Sequence, residues 1–148
     1  MKLGFKKVHP DAKLPTYAHD GDAGMDVYAV ENVRLLDSEP TIVSTGLIAE
    51  IPKGYELQVR SRSGLATKGV TVWNSPGTID QGYTGVIGVI LCYLSPNKDE
   101  TAVKYFDIKK GDRIAQLVFM PVTRAEIVEV EEVSETERGS GGFGSTGI

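Results

Sequence analysis

The sequence predicts an all-β domain, a sandwich or closed barrel of short strands with one short helix, and three observations predict it. Apolar residues recur mostly with a period of two rather than 3.6, as on strands with one buried face. Turn-forming clusters interrupt the apolar runs at near-regular spacing. Glycine supplies 17 of the 148 residues, above the ~7% of ordinary chains, and the glycines cluster between short apolar runs and at the C-terminus.

Taken in order, residues 41–51 are rich in β-branched and apolar side chains and end at Pro52-Lys53-Gly54. Residues 56–60, Glu-Leu-Gln-Val-Arg, alternate polar with apolar and read as a half-buried strand. Residues 63–68 alone resemble a helix. Ser75-Pro76-Gly77 opens a segment that reads as a hairpin with a rigid approach and a glycine-rich return. Residues 86–94 and 114–120 are apolar on both faces, like central strands, and are bounded by Ser95-Pro96-Asn97 and Lys110-Gly111-Asp112. Residues 126–131 alternate again, less cleanly. From 137 to 148 the character changes: five of twelve residues are Gly, and only Phe143 and Ile148 are large and apolar. Such a tail cannot bury enough surface to offset its ordering entropy unless something else orders it.

A chain this long is expected to form one domain with a self-sufficient core. Its net charge of −4 lacks the basic balance of a non-specific nucleic-acid binder. A polyanionic ligand would need local arginines, backbone amides and a metal. The single cysteine, Cys92, lies in an apolar run and reads as a buried packing thiol. No apolar stretch reaches signal-peptide or membrane-span length, so a soluble, cytoplasmic protein is expected. His9 and His19 show no metal-ligand spacing and read as surface residues.

Five segments carry polar groups suited to chemistry. In Ala23-Gly24-Met25-Asp26-Val27 an acid sits in an apolar strand and needs a partner, either a metal-bound water or an arginine. Arg60-Ser61-Arg62-Ser63-Gly64-Leu65-Ala66 follows a strand and opens the short helix, offering amide, hydroxyl and guanidinium donors to an anion. In the segment from Asn74 to Gly85, Asp80 is either a general base or a turn residue bonding its own backbone. Gln116 interrupts the apolar run after Gly111-Asp112-Arg113 and is expected to be hydrogen-bonded inward. In the tail, Gly139, Gly141 and Gly144 spell a dinucleotide fingerprint, but no helix can follow in four residues. Arg138, Phe143, Ser145 and Thr146 instead offer a phosphate fork, a stacking face and hydroxyls.

Together and in this order, A-G-M-D-V, R-S-G-L-A, G-T-I-D-Q-G-Y-T-G, G-D-R-I-A-Q-L and R-G-S-G-G-F-G-S-T-G resemble the five motifs of the trimeric dUTP pyrophosphatase family. The resemblance implies a distorted jelly roll assembled as a homotrimer with active sites shared between subunits. Residues 1–136 would be the β domain, and 137–148 an arm closing a neighbouring subunit's site. It implies Mg²⁺ as cofactor and dUTP as substrate, with no direct nucleic-acid or membrane partner. Asn74 and the backbone of Gly77, Thr78 and Ile79 would hold the uracil edge, and Tyr83 would pack under the deoxyribose. Asp80 would align the attacking water as general base. Arg62, Ser63, Gly64 and Gln116 would bind phosphates. Arg138, Gly144, Ser145 and Thr146 would clamp them, with Arg138 also catalytic, and Phe143 would stack on the base. Asp26 would reach Mg²⁺ through water.

The chain departs from the family's pattern at Ser61, where proline is often found, and that change is expected to loosen the turn. A dCTP deaminase on the same fold is the nearest rival, but it lacks Asp80, Tyr83 and Phe143 in this combination. A regulatory binding protein and a plain sandwich binding module are the non-enzymatic alternatives.

Overall fold

The computed structural model describes residues 1–99, 101–142 and 145. Among these, the strands are β1 (Gly4–Lys7), β2 (Gly24–Tyr28), β3 (Val33–Leu36), β4 (Thr41–Ser44), β5 (Leu47–Glu50), β6 (Tyr55–Arg60), β7 (Val70–Val72), β8 (Gly77–Ile79), β9 (Gly88–Tyr93), β10 (Tyr105–Ile108) and β11 (Arg113–Pro121). One helical turn, α1 (Ser63–Ala66), lies between β6 and β7. No helix among the described residues is long and apolar enough to cross a membrane.

Every strand pairing is antiparallel. A four-stranded sheet runs β2-β11-β6-β8 and a three-stranded sheet runs β4-β9-β7, with β1-β5 and β10-β3 as two-stranded pairs. The period-two pattern of β6 puts Leu57 and Val59 inward, opposite Phe119 and Leu117 on β11, and leaves Glu56, Gln58 and Arg60 on the outer face. Met25, Val27, Leu57, Val59, Ile79, Ala115 and Leu117 meet Val43, Val70, Val72, Val89 and Leu91 in one buried cluster. Burying a side chain of this size contributes about 1.5–3 kcal/mol, so this layer is the main source of stability. Tyr55 stacks on Phe119 at the layer's edge, with ring centroids 4.6 Å apart.

Residues 41–51 form two strands, β4 and β5. Gly46 adopts a φ of +64°, and a side chain there would strike His9, Ala12 and Val30. Thr45 is fully buried, and its hydroxyl donates to the Ile87 carbonyl at 2.8 Å. The hairpin expected over 74–85 is also corrected: β8 pairs with β6, whereas β7 and the next strand, β9, pair with each other in the three-stranded sheet. The 73–76 turn therefore carries the chain from one sheet to the other. His9 is half-buried, its Nδ1 accepting the Asp11 N–H at 3.2 Å, whereas His19 is exposed as expected.

Cys92 is completely buried on β9, and burial pushes its thiol up from the ordinary range, with the nearby Asp37 carboxylate adding to the rise. The thiolate is the reactive form, so both effects suppress reactivity. Under native conditions at neutral pH, a thiol reagent is expected to label Cys92 only as fast as the protein unfolds, and at once in denaturant. Immediate labelling of the native protein would contradict this placement.

Candidate functional site

The first cluster is built on Asp26 of β2. Its side chain is 5% exposed, and a carboxylate so buried must be paired. Arg62 Nε donates to Oδ1 at 2.9 Å, Gln116 Nε2 to Oδ1 at 3.3 Å, and Arg113 Nη1 to Oδ2 at 3.2 Å. Arg62 Nη1 also donates to the Arg113 carbonyl at 3.3 Å. Of the two partners open at the sequence level, the structure shows the arginine. One carboxylate against two guanidinium groups leaves a surplus of one positive charge beside unused N–H donors, an arrangement suited to an oxyanion.

Sequence periodicity did not bring Arg113 into this cluster. On a regular strand, residues three apart point to opposite faces, so Arg113 and Gln116 should not share a partner. The β2–β11 register shifts between Arg113 and Ala115, and this bulge places both side chains on Asp26's face while Ile114 and Ala115 are buried consecutively. Gly24 belongs to the same construction: a Cβ there would come within 3.0–3.2 Å of the Gln116 side chain.

Arg62 is also the N-cap of α1, with extended backbone at φ −89° and ψ 129°, so Ser63 and Gly64 follow it directly at the turn. A Cβ on Gly64 would meet nothing within 4 Å, so this turn is open to approach. Ser61 departs from expectation. Its Oγ accepts the Val72 N–H at 2.9 Å and shares a hydrogen bond with Thr71 Oγ1, also at 2.9 Å. The turn is tethered to β7 rather than loosened.

The second cluster surrounds β8. Thr78, Ile79, Asp80, Tyr83, Ile87 and Gly88 line a cavity of about 180 Å³. Tyr83 is held over it by two contacts within the return turn: its N–H donates to the Asp80 carbonyl at 3.0 Å, and its hydroxyl to the Val86 carbonyl at 3.1 Å. Any side chain at Gly85 would collide with the Tyr83 ring. A Cβ on Gly77 would come within 3.1 Å of Asn74 Nδ2, so Gly77 lets Asn74 lie against the strand. Among the described residues β8 pairs with β6 along one edge only, and its other backbone edge is unpaired. Asp80 is exposed and also lines a wider cavity of about 530 Å³ with Lys53, Tyr55, Glu56, Gln81 and Arg124. A further cavity of about 500 Å³, at the β3–β10 pair, holds none of these groups; its Arg34 and Asp107 already form a two-point ion pair at 2.7 and 2.9 Å.

The two clusters are not together within the chain. Leu57 lies opposite Ile79, so Asp80 sits at the start of β6 and Arg62 beyond its far end. At about 3.3 Å per residue, roughly 15–20 Å separates them. The third group lies on neither. Residues 122–140 are exposed without regular structure, and Ile127 and Val133 are 91% and 86% exposed. The strand expected over 126–131 is therefore absent; its alternation has no partner strand among the described residues. Arg138 Nε donates to the Gly141 carbonyl at 2.9 Å, and the Ser145 N–H to the Gly142 carbonyl at 3.0 Å. Phe143, Gly144 and Thr146 lie outside the described residues.

A family model described as dUTPase matches residues 10–147. The deoxyuridine 5'-triphosphate nucleotidohydrolase of a Picosynechococcus species is 52% identical over 148 residues, covering 99% of each chain. That of a Hydrogenobaculum species is 52% identical over 150 residues, covering 100% of this chain and 99% of the relative. Among solved structures, the Staphylococcus bacteriophage 80alpha dUTPase with dUPNHPP superposes with a TM-score of 0.86 at 32% identity, covering 99% of both chains. A mutant dUTPase of phage phi11 of S. aureus, described as coordinating a structural Mg(II) ion, gives a TM-score of 0.76 at 28% identity, covering 89% of this chain and 98% of that one.

Proposed function

Because the chain belongs to the dUTPase family, we propose that its two clusters are the base half and the phosphate half of a site that hydrolyses dUTP to dUMP and pyrophosphate. The observation that carries this reading is the cavity at β8, which gathers Thr78, Ile79, Asp80 and Tyr83 around one small volume. Asn74 and the free edge of Gly77, Thr78 and Ile79 hold the uracil edge. The narrow cavity excludes thymine's methyl group, and an unmatched amino group on cytosine is costly to bury. Tyr83 packs under the sugar and obstructs a ribose 2′-hydroxyl.

Asp80 orients a water toward the α-phosphorus and takes its proton. A P–O bond forms to the water oxygen, the bond to the bridging oxygen breaks, and pyrophosphate leaves with the electron pair. Arg62, Ser63, Gly64 and Gln116 hold the phosphates. Positioning and charge stabilisation carry most of the acceleration.

The spacing of the clusters supports a shared site. Asp80, which serves the α-phosphorus, and Arg62, which holds the phosphates, stand roughly 15–20 Å apart along β6 in one chain, which favours a site that takes its base half from one subunit and its phosphate half from another. A homotrimer closes such a head-to-tail arrangement. The exposed, alternating segment 126–131 is then a strand that pairs outside its own chain, and residues 137–148 form the arm that covers a neighbour's site. Arg138, Phe143, Gly144, Ser145 and Thr146 act from it. A chain ending at Thr136 is expected to assemble normally yet turn over dUTP roughly 10²-fold more slowly. Normal turnover would remove the arm from the mechanism.

Mg²⁺ fits the phosphate half without a dedicated cage of protein ligands. An ionised carboxylate has about four acceptor positions, and three donors already occupy Asp26, so it retains room for about one further partner. Among the described residues no three carboxylates, histidines or cysteines converge. A Mg²⁺ ion held chiefly by phosphate oxygens, with Asp26 reaching it through water, suits this donor set. It would neutralise phosphate charge and hold the triphosphate in one conformation.

Pyrophosphate release from dUTP with Mg²⁺ is expected to exceed that from dTTP, dCTP or UTP by about 10²-fold or more. Chelation should stop it and added Mg²⁺ restore it. Equal rates on the four nucleotides would overturn the base half. Ammonia release from dCTP would favour the deaminase.

A further inference from the structure

Arg62 is anchored at its tip, where the guanidinium meets Asp26, but a side chain held only at its tip can still swing from its base. The base is held by the preceding residue. Ser61 follows β6 in the four-stranded sheet, and its hydroxyl reaches β7 in the three-stranded sheet. Just past the end of β7, the Trp73 N–H donates to the Ile90 carbonyl on β9, so the alternate N–H, at Val72, faces away from β9 and needs another acceptor. Ser61 Oγ is that acceptor, and Thr71 Oγ1 lies 2.9 Å away as its second partner. The Val72 carbonyl accepts the Ser75 N–H at 3.3 Å, so the residue tied to Ser61 also sets how the chain leaves β7 toward Asn74.

We propose that Ser61 is a positioning residue for dUTP hydrolysis: its hydroxyl fixes the 61–64 turn to β7 and so holds Arg62, Ser63 and Gly64 in register with the triphosphate. This rests on the assignment of Arg62 as a phosphate-binding residue. Proline, often found here in the family, limits the turn through its ring and has no hydroxyl for the Val72 N–H. In this chain a hydrogen bond between sheets replaces the ring. The same tether joins the phosphate turn to the strand that launches the base loop, so it links the two half-sites that one chain contributes.

The test is steady-state kinetics of Ser61→Ala, Ser61→Thr and Arg62→Ala, well below their melting temperatures. Ser61→Ala is expected to lose about tenfold in kcat with a smaller change in KM, because the phosphate turn loses its tether while the β8 cavity keeps its own support from β6. Ser61→Thr keeps the hydroxyl and is expected to stay within about twofold of wild type. If Ser61→Ala has wild-type kcat and KM while Arg62→Ala is inactive, the proposal is overturned, and a lowered melting temperature alone would not rescue it. If Arg62→Ala turns over normally, the phosphate-half assignment itself fails. Should Ser61→Ala not fold, Ser61→Val and Ser61→Thr, alike in shape, ask the same question: equal kcat values overturn the proposal, and a loss confined to Ser61→Val supports it.

Discussion

Asp80→Asn is expected to cut dUTP turnover by roughly 10²–10⁴-fold, the usual range for removing a general base, while the enzyme still binds dUpNHpp. Asparagine keeps the shape of the side chain but cannot take a proton from water. Asp80 is exposed on the rim of the β8 cavity and its side chain is not part of the core, so the substitution should leave folding unaffected. The informative comparison is therefore between binding and chemistry. Intact binding with collapsed kcat supports the assignment. Turnover near wild type would end it, and loss of binding would make Asp80 a substrate-holding group instead.

Mixing two inactive variants is expected to restore activity. In Asp80→Asn the base half is dead, and in Arg62→Ala the phosphate half is dead. If each site takes these halves from neighbouring subunits in a ring of three, every mixed trimer contains one intact site. With equal amounts and random assembly, three trimers in four are mixed, so unfolding and refolding the pair together should give about one quarter of wild-type turnover. If one chain supplied both halves, no mixture would have an intact site, and activity would stay at the level of the separate variants. The result thus decides between a shared and a self-contained site without a structure of the assembly.

Much of this was legible along the chain. Glu56-Leu57-Gln58-Val59-Arg60 announced a half-buried strand, and β6 is that strand. Residues 86–94 and 114–120 contain β9 and most of β11, residues 63–68 contain α1, and Cys92 is buried. Thr78, Ile79, Asp80 and Tyr83 are near one another in sequence, and their turn brings them to one cavity by local geometry. The failures share a different character. Residues 74–85 looked like a hairpin because a rigid approach and a glycine-rich return flank a short run, yet β8 found its partner in β6, and the next strand, β9, found its partners in β4 and β7. Ser61 looked like a loosened turn because its hydrogen-bond acceptor role depends on a strand eleven residues away.

By itself the sequence determined which segments are strands, which side chains face the core and which chemical groups stand ready in order along the chain, because side-chain alternation and turn chemistry act over a few residues. Only the tertiary structure decided that a bulge in β11 brings Arg113 and Gln116 to one buried carboxylate, that Ser61 bridges two sheets, and that Asp80 and Arg62 lie at opposite ends of β6. Register, bulges and sheet partners are set by contacts between residues tens of positions apart, and those contacts compete in a packed core that no short window of sequence contains.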